Sequence, residues 1–221
     1  MREYVRILDI EPVAHNVKLF RLEKPAGYHF TPGQATDVSV DKTGMEENLH
    51  PFTFTSLNQE PYLEFTIKRY PDHHGVTDLI HQLVPGDSLI IGDAWGAIEY
   101  KGPGYFIAGG AGITPFISIF RQLHADGKLE GNTLIFANKT AADIIYEQEL
   151  KDMLGDKAIF ILSDEQKDGY LSGRIDAAFL RKNIHDMSLH FYICGPDQMV
   201  TDIAKILEDA GADTETVVFE K

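Results

Sequence analysis

The chain has 221 residues, with 43% hydrophobic and 24% charged residues, a composition typical of a globular protein large enough for two small domains. Its formal net charge is −14, so nucleic acid and anionic membranes are poor partners. No apolar run approaches the ~20 residues needed to span a bilayer. The single cysteine, Cys194, excludes an internal disulfide and a cysteine-ligated zinc or iron–sulfur site within this chain, and we expect a cytoplasmic protein.

The first hundred residues predict a small antiparallel β-barrel. Short segments with strand composition or strict alternation are separated by Pro and Gly, a spacing typical of barrels. The predicted strands are Tyr4–Ile10, Val17–Leu22, Thr36–Val40, His50–Ser56 and Leu63–Lys68. One short helix fits Val76–Leu83.

From about residue 102 the pattern changes to apolar runs that alternate with helical stretches. This alternation predicts a Rossmann-like parallel sheet with helices on both faces. The predicted strands are Tyr105–Ala108, Thr133–Ala137, Ala158–Leu162, His190–Ile193 and a last one in Thr216–Lys221; the predicted helices are Phe116–His124, Asp143–Leu154, Ile175–Lys182 and Asp197–Ala210. The Gly/Pro-rich segment Lys101–Gly104 is the natural boundary, so we predict domains over residues 1–101 and 102–221.

A glycine-rich turn, Gly109–Pro115, directly follows the first predicted strand of the second domain. Glycines let the backbone approach a ligand and leave amide N–H groups free, and the helix that follows presents its positive dipole end. The turn therefore indicates a site for a pyrophosphate, although such a turn can also be a simple tight connection.

Three further segments bear on this choice. His50–Ser56 is a Phe/Thr alternation that would be ordinary in any buried strand. Gly75–Thr77 is a second glycine before a predicted helix, and hence a second possible anion site. Cys194–Met199 lies at the end of a predicted strand, where parallel sheets place their ligands.

Taken together, the four segments resemble the plant-type ferredoxin–NADP reductase superfamily, in its compact flavodoxin/ferredoxin reductase-like branch. That family has Arg-x-Tyr/Phe-Ser/Thr and a Gly-x-x-Ser/Thr-like turn in an FAD-binding barrel. A nucleotide-binding domain follows, with Gly-Gly-x-Gly-x-Thr-Pro and Cys-Gly-Pro-x-x-Met. The corresponding segments stand here in the same order and extend over essentially the whole chain.

The resemblance implies FAD, rather than the smaller FMN, as the flavin of the barrel. Phe52 would lie against the isoalloxazine ring, and Thr53, a catalytic candidate, would offer its hydroxyl to flavin N5. Val76 and Thr77 would bind the flavin pyrophosphate. The implied flavin contacts are His50, Pro51, Phe52, Thr53, Gly75, Val76 and Thr77, together with Phe219, which relatives suggest for an aromatic ring near the flavin but which fits a buried strand equally well.

The resemblance also implies NADPH or NADH as the substrate of the second domain. Cys194, the second catalytic candidate, would sit beside the nicotinamide near the hydride path. Lys139 follows the second strand, where an acidic residue would repel a 2′-phosphate, so it favours NADPH unless it is simply a solvated charge. The implied nucleotide contacts are Gly110, Gly112, Thr114, Lys139, Cys194, Gly195, Pro196 and Met199.

The chain departs from the family at His50, where the family usually has arginine. Arginine clamps a phosphate with two donors and a permanent charge, whereas imidazole offers one hydrogen bond and carries a charge only when protonated. The expectation is weaker flavin binding, or a substitute cation such as Lys68 or Arg69. A surface histidine on a strand is the plain alternative.

The implied function is a flavin-dependent oxidoreductase that takes hydride from NAD(P)H onto FAD and passes electrons to a separate acceptor. That acceptor would be a ferredoxin, a flavodoxin, an oxygenase component or a small oxidant, because this chain holds no cluster ligands. The alternative is a non-catalytic nucleotide-binding or redox-sensing module on the same fold that has lost its flavin.

Overall fold

The computed structural model describes residues 2–70, 75–96, 98–213 and 217–219, and its N-terminal part is a six-stranded antiparallel sheet. The elements are β1 (Glu3–Ala14), β2 (Val17–Glu23), β3 (Ala35–Val40), β4 (His50–Thr53), β5 (Tyr62–Lys68), α1 (Val76–Ile80) and β6 (Ser88–Trp95). The strand order is β4-β3-β6-β1-β2-β5, and an isolated bridge between Phe54 and Phe65 joins the two edges of the sheet. The curled sheet encloses a core of aliphatic and aromatic side chains, which include the fully buried Phe20, Phe54 and Phe65.

Three elements of this barrel, β6, β1 and α1, differ from the expectation. Ser88–Trp95 forms the strand β6 although Gly92 interrupts its pattern, because β6 lies between β3 and β1 and is held by both. β1 is longer than predicted, since its start pairs with β6 and its remainder with β2. The helix α1 ends at Ile80, three residues earlier than predicted.

The C-terminal part, which we call the α/β domain, is a six-stranded parallel sheet. Its strands are β7 (Gly104–Gly109), β8 (Thr133–Asn138), β9 (Ala158–Leu162), β10 (Leu171–Ser172), β11 (His190–Cys194) and β12 (Val217–Phe219). Its helices are α2 (Thr114–Ala125), α3 (Glu147–Leu154), α4 (Ala177–Asn183) and α5 (Asp197–Asp209). The order β10-β9-β8-β7-β11-β12 reverses direction between β7 and β11, which is the topological switch point of the sheet.

Successive residues of β7 face opposite sides of the sheet, as the two-residue period of a strand requires. Phe106 and Ala108 pack with the buried side chains of α2 and α3, whereas Tyr105 and Ile107 pack with those of α4 and α5. The predicted fold class, an antiparallel barrel followed by a Rossmann-like sheet with helices on both faces, is therefore confirmed. The position of the domain boundary at residue 101 stays a prediction.

The helix α3 begins at Glu147 rather than at Asp143. Asp143 instead closes a capping box with Thr140 around a short 3-10 turn, in which the Thr140 hydroxyl donates to the Asp143 carboxylate at 2.8 Å. Tyr146 then takes a left-handed backbone (φ 54°) that separates the 3-10 turn from the helix. The predicted last strand falls partly outside the described residues, and its described part is β12.

Candidate functional site

The glycine-rich turn lies at the carboxyl end of β7, beside the switch point. Gly110 has a left-handed backbone (φ +54°), and a 3-10 turn over Gly110–Ile113 leads directly into α2. Apart from Gly110 and its two chain neighbours, no heavy atom of the described residues would lie within 4 Å of a Cβ added to Gly110, so a ligand has open access to this backbone. The Thr114 hydroxyl donates to the carbonyl of Ala111 at 3.0 Å and thereby closes the turn.

The turn is in direct contact with the Cys194–Met199 segment. A Cβ on Gly112 would lie 2.3 Å from the carbonyl oxygen of Cys194 and 2.6 Å from the amide nitrogen of Gly195. Met199 and Pro196 cover Gly109 in the same way. Because β7 and β11 are neighbours, the structure brings both predicted nucleotide-binding segments to one place at the carboxyl edge of the sheet.

On the barrel, the predicted flavin segment lies at an open edge. Backbone pairing between the β4 and β5 sides consists of the Phe54–Phe65 bridge and a bond from Thr55 N to Glu64 O (2.8 Å), and within the described residues it extends no further toward His50. Phe52 and Thr53 are half-buried along this edge, and the Phe52 ring lies 6.4 Å from that of Phe65. A planar ring system could occupy the space where the strands part.

His50 and the two cations considered as its substitutes all have protein partners. The Nε2 atom of His50 lies 3.1 Å from Oδ1 of Asn48. Lys68 is 3.4 Å from Asp143, and Arg69 donates to Asp78 at 2.6 Å. Pro51 is exposed beside His50. A flavin phosphate would therefore have to compete with carboxylates for Lys68 or Arg69.

The segment Gly75–Thr77 opens α1 close to the end of β5. The hydroxyl of Thr77 accepts a bond from the backbone nitrogen of Tyr70 at 3.4 Å, and Val76 is buried in the barrel core. Gly75 has an extended backbone that ordinary residues also adopt (φ −91°). The Thr77 hydroxyl thus has a local structural hydrogen bond, in addition to any contact with a ligand.

The helix α2 connects the barrel edge to the nucleotide turn. After Thr53, the nitrogen of Phe54 donates to the carbonyl of Gln34 at 3.1 Å. The neighbouring residue, Gly33, donates its N–H to the hydroxyl of Ser118 at 3.1 Å, one turn after the start of α2. The strand that carries Thr53 and the helix that begins at the glycine-rich turn are therefore held against each other.

Asn138 is a buried polar side chain at the same edge of the sheet. It ends β8 and is 7% exposed, yet neither its amide oxygen nor its amide nitrogen has a hydrogen-bond partner among the described residues. Buried polar groups are normally satisfied, so an orphaned amide beside an open turn indicates a bound group. The burial of Asn138 depends on packing against other strands and helices, so the sequence alone gave no sign of it.

Two other predicted contacts are Lys139 and Phe219. Lys139 is exposed and follows Asn138, while Phe219 is in β12, where its backbone pairs with Ile193 at the far edge of the sheet. Within the described ranges there is no group of three or more His, Cys, Asp or Glu side chains able to hold a metal ion, and no helix is long and apolar enough to cross a membrane.

Arg121, which the sequence analysis did not single out, lies where the barrel meets the α/β domain. Burial alone would lower its pKa, but the hydrogen bonds that it donates to Glu149 and the charge of Glu64 outweigh burial and raise it. Burial and the charge of Glu64 also raise the pKa of Tyr146 to about 12. The guanidinium is therefore permanently charged and the phenol permanently neutral in the working range of pH. The one arginine in a helix of otherwise mostly apolar residues, directly after Ile119 and Phe120, is the signal that could have indicated Arg121.

Family models match both parts of the chain. Residues 2–89 match an FAD-binding domain, and residues 106–205 match an oxidoreductase NAD-binding domain. The predicted flavin-binding and nicotinamide-nucleotide-binding domains are thus confirmed as domain types. The orphaned amide of Asn138, the open backbone of Gly110 and the parted strands β4 and β5 are compatible with such ligands.

Similar proteins include reductases and an FAD/NAD binding domain. The reductase component of propane 2-monooxygenase from Rhodococcus jostii (strain RHA1) is 27% identical over 98% of this chain and 62% of its own length. The flavohem-like FAD/NAD binding domain of nitric oxide dioxygenase from Vibrio cholerae O1 biovar El Tor has a TM-score of 0.86 at 22% identity, with 98% and 97% of the two chains covered. A ferredoxin NADP+ reductase from Neisseria gonorrhoeae has a TM-score of 0.83 at 20% identity, with 99% and 98% covered. The chain spans somewhat less than two thirds of the length of the first curated relatives it matches.

Proposed function

We propose that this chain, whose two parts match an FAD-binding domain and an oxidoreductase NAD-binding domain, is a member of the ferredoxin–NADP reductase superfamily, an FAD-dependent reductase that oxidises NADH or NADPH and delivers electrons to a separate acceptor. One observation carries the proposal. The helix α2 starts at the open nucleotide turn and also packs against the barrel strand that leads away from Thr53. Two ligands bound at these places would meet at the interface between the barrel and the α/β domain.

The protein's own part in this reaction is to bind and orient. Hydride transfer needs two rings at near-attack distance, about 3–3.5 Å, and little acid–base chemistry from side chains. When bound, FAD supplies the capacity to accept two electrons from nicotinamide and to release them to an acceptor. Gly110 and Gly112 let the nucleotide approach the backbone, while Phe52 and Thr53 form the wall of the flavin edge.

The acceptor is proposed to be a separate protein or a small oxidant. The Rhodococcus relative is, by its name, the reductase component of a monooxygenase, and an oxygenase component is accordingly the first partner to test. With a net charge of −14, this chain would dock most readily on a partner with a basic surface. We propose the cytoplasm as its location, because a chain with one cysteine gains nothing from an oxidising compartment.

The function is tested by flavin content and by the reaction with each nucleotide. We expect the purified protein to be yellow, to release FAD on heating, and to lose its flavin absorbance when NADH or NADPH is added without oxygen. Comparing the two nucleotides, in the wild type and in Lys139→Ala, measures the contribution of Lys139 to a preference for NADPH. A colourless protein that rebinds neither FAD nor FMN would support the non-catalytic alternative and refute the proposal.

Thr53→Ala is expected to slow flavin reduction more than it weakens flavin binding. The hydroxyl is expected at flavin N5, and loss of one positioned hydrogen bond costs about 0.5–1.5 kcal/mol, or roughly two- to tenfold in rate. Stopped-flow reduction and flavin titration measure the two effects separately. Thr53→Ser keeps the hydroxyl and serves as the matched control. Equal reduction rates in wild type and Thr53→Ala would remove Thr53 from the site.

His50→Arg is expected to tighten flavin binding about tenfold. A guanidinium makes charged, paired hydrogen bonds to a phosphate, each worth about 1.5–3 kcal/mol, whereas His50 is held by Asn48. Titration of the apo-protein with FAD gives the affinity. His185→Arg adds the same charge in the exposed segment after α4 and should leave the affinity unchanged. Identical affinities in all three proteins would mean that position 50 does not reach the flavin phosphate.

A further inference from the structure

Five side chains form a closed circuit of contacts between the barrel and the α/β domain, which we call the interdomain ring. Its members are Thr55, Glu64 and Thr66 of the barrel and Arg121 and Tyr146 of the α/β domain. Thr55 and Glu64 are almost completely buried, at 0% and 3% exposure. None of these residues belongs to the predicted flavin or nucleotide contacts, so their burial at an interface calls for a separate explanation.

Arg121 makes the central contacts of the ring. Its Nη1 donates to a carboxylate oxygen of Glu64 and to the carbonyl of Thr55, both at 2.7 Å, and both acceptors belong to the barrel. Its Nε and Nη2 donate to the two carboxylate oxygens of Glu149 in α3, at 2.6 and 3.0 Å. One rigid guanidinium therefore fixes α2 and α3 to two barrel segments at once, a geometry that lysine cannot reproduce.

Tyr146 closes the interdomain ring from the other side. The centre of its aromatic ring lies 5.0 Å from the guanidinium carbon of Arg121, and its hydroxyl is 2.8 Å from the hydroxyl of Thr66. The hydroxyl of Thr66 is in turn 3.1 Å from that of Thr55. Tyr146 is also the one non-glycine residue with a positive φ (54°) in the described part of the chain. A residue with a Cβ occupies this conformation only when its surroundings impose it, and such strain is concentrated at functional sites.

Contacts between the barrel and the α/β domain recur along β5 at every second residue, two of them within the interdomain ring and one beyond it. Glu64 contacts Arg121, Thr66 contacts Tyr146, and Lys68 lies 3.4 Å from Asp143. One face of β5 is thus matched, residue by residue, to α2 and to the segment that follows Asn138 at the end of β8. A relative shift of the barrel and the α/β domain would break all three contacts together.

We propose that Arg121 is a positioning residue which, through the interdomain ring, sets the distance between the flavin edge of the barrel and the nucleotide turn. The inference rests on the proposed function. Thr55 follows Thr53 by two residues on the barrel, and Arg121 follows Thr114 by seven residues, or ~10.5 Å along α2. The barrel segment that Arg121 contacts therefore leads directly to Thr53, and the helix that carries Arg121 leads directly to the nucleotide turn. A displacement of about 1 Å in such a reaction can cost a hundredfold in rate.

The test compares Arg121→Met, Arg121→Lys and Tyr146→Phe with the wild type and with Arg181→Met, a control in α4 that removes an exposed arginine. We expect Arg121→Met to slow flavin reduction 10- to 100-fold while the affinities for FAD and nucleotide change less than threefold. The primary isotope effect with 4-deuterated NADH should change, because the distance between donor and acceptor has changed. Arg121→Lys should recover part of the rate, Tyr146→Phe should show a smaller loss, and Arg181→Met should show none.

Calorimetry of the protein as purified gives a readout that does not depend on activity. We expect one unfolding transition in the wild type and two separate transitions, or a clearly broadened one, in Arg121→Met. A wild-type protein that is not reduced by NADH or NADPH would refute the proposed function, whereas the calorimetric result would still test the ring. Reduction rate and isotope effect equal to the wild type in a folded Arg121→Met would overturn the inference; if that variant does not fold, the same outcome in Arg121→Lys and Tyr146→Phe would do so.

Discussion

Gly112→Ala is expected to destabilise the α/β domain by at least about 3 kcal/mol and to abolish nucleotide binding. The added Cβ would lie 2.3 Å from the carbonyl oxygen and 2.4 Å from the carbonyl carbon of Cys194, closer than atoms of these types can approach. Both are backbone atoms at the end of β11, which is paired on both sides within the sheet, so they cannot move aside cheaply. The turn would have to separate from the Cys194–Gly195 backbone.

The matched control is Gly110→Ala, two residues earlier in the same turn. Its Cβ would enter open space, so the cost comes only from the left-handed backbone, about 1–2 kcal/mol. Urea unfolding followed by circular dichroism, with nucleotide titration, separates the two variants. If Gly112→Ala were no less stable than Gly110→Ala, the close contact between the two nucleotide-binding segments would be wrong.

Much of this fold can be predicted from the chain itself because its elements carry local signals. The strands of the parallel sheet are apolar runs bounded by glycine or polar residues, and β9 has the predicted bounds of Ala158–Leu162. Elements whose stability comes from distant partners gave no such signal. β6 contains Gly92 and is a strand only because β1 and β3 flank it, more than 40 residues away along the chain.

The candidate site also has features that local sequence predicts and features that depend on distant partners. Its glycine-rich turn and Cys194–Met199 segment were predictable, since backbone approach to a ligand requires glycine at fixed spacing. The pairing of charged side chains could not be predicted from the sequence. Lys68 and Arg69 seemed available as phosphate-binding cations, yet each faces a carboxylate, and Asp143 is 75 residues from Lys68. The role of Arg121 likewise depends on Glu64, which only the folded chain brings within reach.

Asn138→Leu is expected to change stability and nucleotide affinity in opposite directions. Both amide atoms of Asn138 are buried and have no hydrogen-bond partner among the residues that the structure describes, and an unsatisfied buried polar group costs about 1–3 kcal/mol. Leucine removes this cost, so the free energy of unfolding should rise by about 1 kcal/mol or more. If the amide serves the bound nucleotide, the dissociation constant of NADH or NADPH should rise about tenfold or more, since 1.4 kcal/mol is a factor of ten.

Asn132→Leu is the matched control, at the residue directly before the start of β8. Asn132 is equally buried, at 2% exposure, but its oxygen accepts from Gly104 N at 3.2 Å and its nitrogen donates to the carbonyl of Leu129 at 3.1 Å. Its replacement should therefore destabilise the protein by about 1–3 kcal/mol, because it leaves the buried N–H of Gly104 without the amide oxygen it donates to. Urea unfolding of the flavin-loaded protein without nucleotide, together with nucleotide titration, gives both quantities. If Asn138→Leu lost stability as Asn132→Leu does, the Asn138 amide would already be satisfied in the free protein, and its assignment to the nucleotide would be wrong.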